Sequence, residues 1–478
     1  MSLKVYNTQT RQKEDFTSLE PGQVKMYCCG VTVYDYCHLG HARSYIVWDM
    51  VRRYLEWQGY SVQYVQNFTD IDDKILNRAK QEGVTMEEIS EKYINAYFED
   101  IRRLNVKDAD AYPRATDNIL EIYQIIQQLE TSGFAYAVSG DVFYQVNQFK
   151  DYGKLSGRKL DEQQAGASGR VDVEAEKKKN PADFALWKAA KPDEPFWQSP
   201  WGKGRPGWHI ECSAMVKRIL GNTIDIHCGG GDLIFPHHEN EIAQSEAANC
   251  QPLSRYWMHN GMVRISGEKM SKSLGNFTTI RELLKTVNPM VIRLFVLQAH
   301  YRKPLDFTDE AMTSAENSWV TLNEALLFGS QYGEKLGWKP DYHQLDEAAV
   351  ERFNTAMDDD FNTPGGLAVL FELAKELRKE KNVLVHEGKT ETSSEKLQQI
   401  WQTLVQLAEV LGLERQEETV SKEEGISESE IEGLIQQRKA ARQAKNYAES
   451  DRIRDELKAA GITLIDQPGG KTIWHRDG

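Results

Sequence analysis

The run Met26-Tyr27-Cys28-Cys29-Gly30-Val31-Thr32-Val33 is apolar almost throughout, and Ile46, Val47, Met50, Val51, Tyr54 and Leu55 then recur on one helical face. A buried strand followed by a helix is predicted. Tyr60-Ser61-Val62-Gln63-Tyr64-Val65-Gln66-Asn67 reads as a second strand, ending in the polar Thr69-Asp70-Ile71-Asp72-Asp73. Alternating strand and helix signals over 24–110 suit the first half of a parallel, nucleotide-binding sheet. Residues 111–205 interrupt the rhythm with Ala165-Gly166-Ala167-Ser168-Gly169, the basic Lys177-Lys178-Lys179 and several prolines, as an insertion between two half-sheets would. The strand-helix pattern resumes over 206–265, a lysine-bearing region occupies 266–309, and 310–413 is helical almost throughout, which predicts a bundle. Asp358-Asp359-Asp360-Phe361-Asn362-Thr363-Pro364 breaks that bundle and reads as a turn with an N-cap rather than a metal site. Beyond 414, a helix-like run from Glu430 to Lys458 leads to short strands at Ile462–Ile465 and Lys471–Trp474.

Composition narrows the class. A chain of 478 residues is too long for one core and implies several domains. With 40% hydrophobic and 27% charged residues it reads as an ordinary globular protein. It has neither the ~20-residue apolar stretch of a membrane span nor a signal-peptide pattern, so a cytoplasmic location is expected. Six cysteines, two of them adjacent at Cys28 and Cys29, suit core thiols or metal ligands in a reducing compartment. A formal net charge of −14 argues against a general nucleic-acid coat, so any RNA contact must use local patches. Residues 414–432 carry eight acids and two bases, whereas 438–478 carry nine Lys or Arg and six Asp or Glu. An acidic linker thus precedes a mildly basic module at 433–478.

Two short motifs carry the chemistry. His38-Leu39-Gly40-His41 falls at the predicted strand-to-helix turn. There backbone N–H groups and the positive helix end face a ligand, Gly40 admits a flat base, and the imidazoles of His38 and His41 can donate to phosphate oxygens. Lys269-Met270-Ser271-Lys272-Ser273, between Gly267 and Gly275, supplies two ammonium groups on a loop suited to closing on a triphosphate. A third feature is a cluster. Of eleven histidines, His209, His227, His237, His238 and His259 fall within 51 residues that also hold Cys212 and Cys228.

With these residues in view, the chain resembles the class I aminoacyl-tRNA synthetases, whose signatures have the HIGH and KMSKS patterns; Leu39 replaces the usual isoleucine. Within that class it is most similar to the cysteinyl-tRNA synthetase family, through the segments 26–35, Asn67-Phe68-Thr69-Asp70-Ile71-Asp72-Asp73-Lys74, Gly207-Trp208-His209-Ile210-Glu211-Cys212-Ser213-Ala214-Met215 and Phe235-Pro236-His237-His238-Glu239-Asn240-Glu241. The fold class expected is α/β: a Rossmann-like parallel-sheet catalytic domain in two halves (1–110 and 206–265) around a connective insertion (111–205). A signature-loop and stem-contact region (266–309), a helical bundle (310–413), the acidic linker (414–432) and a small α+β anticodon-binding module (433–478) follow.

The resemblance implies a Zn²⁺ ion, one per chain, on Cys29, Cys212, His237 and Glu241, a donor set acceptable to zinc. Pro236 at the first turn of a helix would place His237 and Glu241, four apart, on one face, with Cys28 and His238 turned away from it. It further implies Thr69, Trp208 and Asp232 beside a cysteine substrate, with His209 as additional polar lining. His38, His41, Lys269 and Lys272 become the electrostatic catalytic residues, with Gly40 completing the ATP site and Mg²⁺ accompanying ATP. Arg442, Asp451, Asp466 and Trp474 are marked for the tRNA anticodon. The expected partners are ATP, L-cysteine and tRNA-Cys, with no membrane, and the expected state is a monomer. The alternatives are a cysteine–amino-sugar ligase of mycothiol synthesis, which lacks the RNA-binding end, and a non-catalytic tRNA-binding paralogue.

Overall fold

The computed structural model describes residues 2–158, 175–265, 268–269, 278–340, 342, 344–417, 428–467 and 471–476. It divides into two compact units. The first comprises Met1–Leu322, Gln344–Glu372 and Gln402–Glu414; the second comprises Asn323–His343, Leu373–Trp401 and Arg415–Gly478.

The first unit opens with an antiparallel hairpin of β1 (Lys4–Asn7) and β2 (Gln12–Asp15). Then come β3 (Gln23–Cys28), α1 (Leu39–Trp57), β4 (Ser61–Gln66), α2 (Asp73–Glu82) and α3 (Met86–Arg103). The insertion supplies α4 (Ile119–Thr131) and strands β5 (Ala135–Val138), β6 (Asp141–Tyr144), β7 (Phe184–Ala189), β8 (Trp197–Ser199) and β9 (Gly202–Pro206). After it come α5 (Trp208–Ile219), β10 (Ile224–Gly230), α6 (Glu239–Asn249) and β11 (Ser254–Asn260). The sheet runs β11-β10-β3-β4, every pair parallel, with Met26 opposite both Tyr64 and Ile226 and Cys28 opposite Cys228. The chain leaves β3 toward β4 on one side and returns later to pair β10 on the other. That reversal is a switch point, where the carboxyl ends of the strands open a crevice for ligands.

The insertion, which sequence punctuation marked only as an interruption, is an antiparallel sheet ordered β5-β6-β7-β9-β8. Its core joins Val142, Tyr144, Leu186 and Trp187 to Ile210 and Ala214 of α5 and Ala243 and Ala247 of α6. The insertion is also tied by charge. The carboxylate of Glu239, fully buried on α6, accepts the N–H groups of Gly153 at 2.9 Å, Leu155 at 3.4 Å and Ser156 at 2.7 Å. The Ala165–Gly169 stretch lies outside the described residues.

After β11 come β12 (Val263–Ile265), β13 (Glu268–Lys269), α7 (Ile280–Leu283), α8 (Pro289–Leu297), β14 (Leu305–Phe307) and α9 (Asp309–Leu326), with a small sheet ordered β13-β12-β14. The helices α10 (Phe328–Tyr332), α11 (Glu347–Met357), α12 (Thr363–Glu387) and α13 (Ser394–Val410) fill the region expected to be a bundle. They do not form one body: α11, the start of α12 and the end of α13 belong to the first unit. The acidic turn between α11 and α12 is a structural hub. Tyr54 donates to Asp358 at 2.7 Å, Lys13 pairs with Asp359, and Asp360 accepts the Tyr6 N–H at 2.8 Å, the Tyr301 hydroxyl at 2.8 Å and Arg302 at 2.7 Å.

In the second unit, the single helix-like run seen in sequence is two helices, α14 (Glu428–Gln443) and α15 (Tyr447–Ala459). The break has a local cause: Lys445 takes a positive φ of 56° and the Asn446 side chain caps α15 by accepting from the Glu449 N–H. An antiparallel pair, β15 (Ile462–Gln467) and β16 (Lys471–Arg476), follows, and Ile431, Ile435, Ile453, Leu457 and Ile462 form the core beneath it.

Candidate active site and metal centre

His38 is the N-cap of α1, with extended backbone at φ −103° and ψ 172°. Its Nδ1 accepts the Gly40 N–H at 3.0 Å, and His41 Nδ1 accepts the His38 N–H at 3.2 Å. This is a capping box built from two histidines, whose rings stack with centroids 3.8 Å apart. Because both Nδ1 atoms accept, both rings carry the Nε2–H tautomer, which makes Nε2 the donor. The motif also meets the segment that follows the lysine loop. Leu39 N–H donates to Thr278 O at 3.1 Å, Ile280 N–H donates to Cys37 O at 2.8 Å, and His38 and Thr279 form an antiparallel bridge. Arg43, one turn into α1, donates to the carbonyls of Met262 at 2.9 Å, Tyr301 at 3.2 Å and Lys303. It is 1% exposed, and burial lowers its pKa to about 10. Of the lysine motif, the backbone of Lys269 pairs with Arg264, while Lys272 lies outside the described residues.

Four residues converge beneath the crevice: Cys29 just after β3, Cys212 on α5, His237 in the turn that leads into α6, and Glu241 in the first turn of α6. Their ligand atoms all lie within 4.8 Å of one another, and all four residues are buried. Cys29 Sγ is 3.9 Å from Cys212 Sγ and 3.4 Å from Glu241 Oε1, and His237 Nε2 is 3.0 Å from Glu241 Oε1. Zinc bonds of about 2.0–2.3 Å in a tetrahedron separate ligands by about 3.3–3.8 Å, so this spacing fits one such ion. Burial first, then Cys212, raises the pKa of the Cys29 thiol well above its ordinary value. At Cys212 the hydrogen bond with Cys29 pulls the pKa down, but burial and the Glu241 and Glu211 carboxylates leave it raised. A cation that displaces the protons removes that penalty.

The approach to α6 differs from expectation. Pro236 does not open a regular helix; Ile234–His238 form a π-type turn, Phe235 sits at φ −140° and ψ 131°, and α6 begins at Glu239. A residue before proline is pushed out of the α region, which produces the kink. The turn brings His238 nearer than a 100° helical step would. His238 Nε2 lies 4.0 Å from Glu241 Oε1, and Cys29, His227, His238 and Glu241 form a second, overlapping group able to hold a metal. Cys28 belongs to neither group and faces Cys228 across the sheet.

Around the ligands runs an imidazole chain that sequence reading saw only as a cluster. His209 Nδ1 lies 2.9 Å from His237 Nδ1, and His227 Nε2 lies 2.9 Å from Glu241 Oε2. His238 Nδ1 meets His259 Nε2 at 2.8 Å, and His259 Nδ1 meets Thr8 Oγ1 at 2.8 Å. Burial lowers the pKa of His238 well below the ordinary value, with His227 the next contributor; burial and then His227 lower that of His259 to about 3. These two rings are therefore neutral.

Trp208 stacks on His237 with centroids 4.1 Å apart and planes at 17°. Thr69 is buried and donates to Glu211 Oε2 at 3.1 Å. Glu211, 1% exposed beside Cys212, was not singled out from sequence. Its only signal was a position one residue before a thiol. Asp232 is exposed just past β10, and a Cβ on Gly230 would come within 2.6 Å of its Oδ1. In the second unit, Arg442 and Asp451 are exposed, Asp451 pairs with Arg454 at 3.1 Å, and Asp466 lies on β15 opposite Thr472. Trp474 is half-buried against the core of that module.

Three family models match the chain: the tRNA synthetases class I (C) catalytic domain over residues 15–317, the DALR domain over 352–416, and the cysteinyl-tRNA ligase anticodon binding domain over 427–474. The cysteine–tRNA ligase of Gloeothece citriformis is 66% identical over 485 residues, and that of a Nostoc species 67% identical over 487, each alignment covering 100% of both chains. Among solved structures, the fold is shared with Mycobacterium tuberculosis methionyl-tRNA synthetase in complex with methionyl-adenylate at a TM-score of 0.57 and 16% identity, covering 81% of this chain and 89% of that one. A leucyl-tRNA synthetase in a ternary complex from Agrobacterium radiobacter gives 0.57 at 11% identity, covering 83% and 85%. The chain belongs to the cysteine–tRNA ligases of the class I aminoacyl-tRNA synthetase family.

Proposed function

We propose that this enzyme activates L-cysteine with ATP and transfers it to the 3′ end of tRNA-Cys, and that it selects cysteine through a zinc ion held by Cys29, Cys212, His237 and Glu241. The observation that carries the reading is the convergence of these four ligand atoms within 4.8 Å beneath the sheet crevice, under Trp208. Two thiols, an imidazole and a carboxylate suit zinc better than the second group, which offers a single thiol. His227 engages Glu241 Oε2, leaving Oε1 to face the thiols and His237. When bound, zinc would supply a Lewis acid that draws the proton from a thiol and ranks sulfur above oxygen. Shape alone separates near-isosteres by only ~1–3 kcal/mol, too little to reject serine without editing.

The protein's own part in adenylation is alignment and charge stabilisation rather than proton transfer. The Nε2–H groups of His38 and His41, Gly40 at the start of α1, and Lys269 and Lys272 would hold ATP with its Mg²⁺ as negative charge spreads at the α-phosphate. Thr69, His209 and Asp232 would line the amino-acid pocket. Arg442, Asp451, Asp466 and Trp474 would meet the anticodon, where basic residues near an aromatic suit splayed bases. The anticodon-domain match over 427–474 favours tRNA over an amino sugar as acceptor. The signature histidines and the four ligands together favour an active enzyme over a non-catalytic relative. A cytoplasmic monomer completes the proposal; among the described residues no helix is long and apolar enough to cross a membrane.

Pyrophosphate exchange and tRNA charging with cysteine and with serine, on zinc-loaded and zinc-depleted protein, test the proposal. Loaded enzyme should exchange with cysteine alone, and Cys212→Ser and His237→Ala should lose zinc and exchange together while Cys28→Ser keeps both. Cysteine selectivity that survives zinc removal would place discrimination in the pocket walls instead.

A further inference from the structure

We propose that the Tyr27 hydroxyl is the hydrogen-bond donor that holds and tunes the Cys212 sulfur as a metal ligand, making Tyr27 a positioning residue of the centre. This rests on the reading that Cys212 binds the metal. Tyr27 lies on β3 two residues before Cys29, and its side chain joins Cys29, Cys212, Met215, Val216 and Trp257 in one buried cluster. Its ring tilts against His227 at 5.3 Å. The residue is 0% exposed, yet among the described residues its hydroxyl meets no partner in good hydrogen-bonding geometry. Sealed phenols rarely stay so, because losing water without replacing it is costly. That cluster sets the tyrosine alongside Cys29 and Cys212, two of the four ligands.

The neighbours of Cys212 explain why the donor is needed only when metal is bound. As a thiol, Cys212 donates toward Asn67 Oδ1 at 3.8 Å, and that amide is fixed because Oδ1 also accepts the Gly30 N–H at 2.9 Å. Once the sulfur gives up its proton it becomes an acceptor, and the carbonyl oxygen facing it has no hydrogen to offer. The Thr69 hydroxyl is committed to Glu211. Tyr27, buried in the same cluster as Cys212, has an uncommitted O–H to offer that sulfur. Hydrogen bonds to a ligating atom fix its orientation and adjust how much electron density it gives the metal.

The test compares full-length wild type, Tyr27→Phe and Cys212→Ser, each stripped of metal. Zn²⁺ affinity is measured against a chromophoric chelator, and Co²⁺ is then added in place of zinc to read the sulfur-to-cobalt charge-transfer band. Phenylalanine preserves the ring, so the apo unfolding midpoint of Tyr27→Phe should stay level or rise as a buried unpaired hydroxyl is removed. Its Zn²⁺ affinity should nevertheless fall about tenfold, and its charge-transfer band should move to longer wavelength as the sulfur lone pairs rise in energy. Affinity and band position equal to wild type would reduce Tyr27 to core packing and overturn the proposal. A wild-type protein without the band, or a Cys212→Ser protein that keeps it in full, would instead overturn the metal reading and this proposal with it.

Discussion

Replacing Arg43 with methionine removes one charge from the interior and tests how α1 is coupled to the start of β12. The guanidinium donates to three backbone carbonyls, and among the described residues no carboxylate pairs with it. After substitution, Met262 O keeps the Leu305 N–H at 3.0 Å and Tyr301 O keeps the Gly261 N–H at 2.8 Å. The Lys303 carbonyl is the one that loses its donor. One orphaned carbonyl costs ~1–3 kcal/mol, and removing a buried cation that needed desolvation offsets part of it, so destabilisation of no more than about 2 kcal/mol is expected. The kinetic effect should be larger in proportion, because α1 carries His38 and His41 while the clamped segment leads into the lysine motif. Displacement of catalytic groups by about 1 Å costs up to ~100-fold in rate. Pyrophosphate exchange in Arg43→Met should therefore fall at least tenfold in kcat, with zinc content and the KM for cysteine little changed. A folded Arg43→Met protein that exchanges at the wild-type rate would refute the coupling, and one that loses zinc would show that the damage spreads through the whole sheet.

Glu211→Gln should raise the KM for cysteine about tenfold and leave zinc bound, because the Thr69 hydroxyl keeps an acceptor but loses a charged one; atomic absorption beside steady-state kinetics checks both halves. His259 has a folded pKa of about 3 against an ordinary value near 6.5, so the unfolded chain binds the extra proton first and stability falls as pH drops from about 6.5 toward 3. At pH 5 this one ring removes about 2 kcal/mol. Urea unfolding of chelator-treated protein at pH 7 and pH 5 should show it, and His259→Gln should flatten the slope. Deletion of residues 415–478 should spare cysteine-dependent exchange and abolish most tRNA charging; loss of exchange in a folded truncation would show that the module supports the catalytic unit.

Periodicity carried the parallel sheet well: Met26–Cys28, in a strand flanked on both sides, announces itself as a buried apolar run, and the edge strand Ser61–Gln66 alternates, exposing Ser61 and Gln63 while burying Val62 and Tyr64. The insertion sheet was not legible for the opposite reason. Its strands are three to six residues long, and one of them, Gly202-Lys203-Gly204-Arg205-Pro206, is rich in glycine and ends on proline. The helical region was read correctly as helical but not as shared between two units, since the 3.6-residue pattern reports an apolar face and not what covers it. In the site, the spacing of His237 and Glu241 was readable because four residues bring them together whether or not the first turn is regular. The contacts of His227 and Glu211 were not, because each reaches the centre through tertiary packing that no local pattern encodes.

The two histidines of the 38–41 turn are also folding elements. An alanine at either position removes a helix cap as well as an imidazole, a loss of ~1 kcal/mol that any activity measurement would silently absorb. Asparagine at 38 and glutamine at 41 would keep an acceptor for the same backbone N–H groups while deleting the Nε2–H donors. On the proposed reading the signature is therefore two messages written in the same letters, one to the helix and one to the nucleotide, and only substitutions that preserve the first can measure the second.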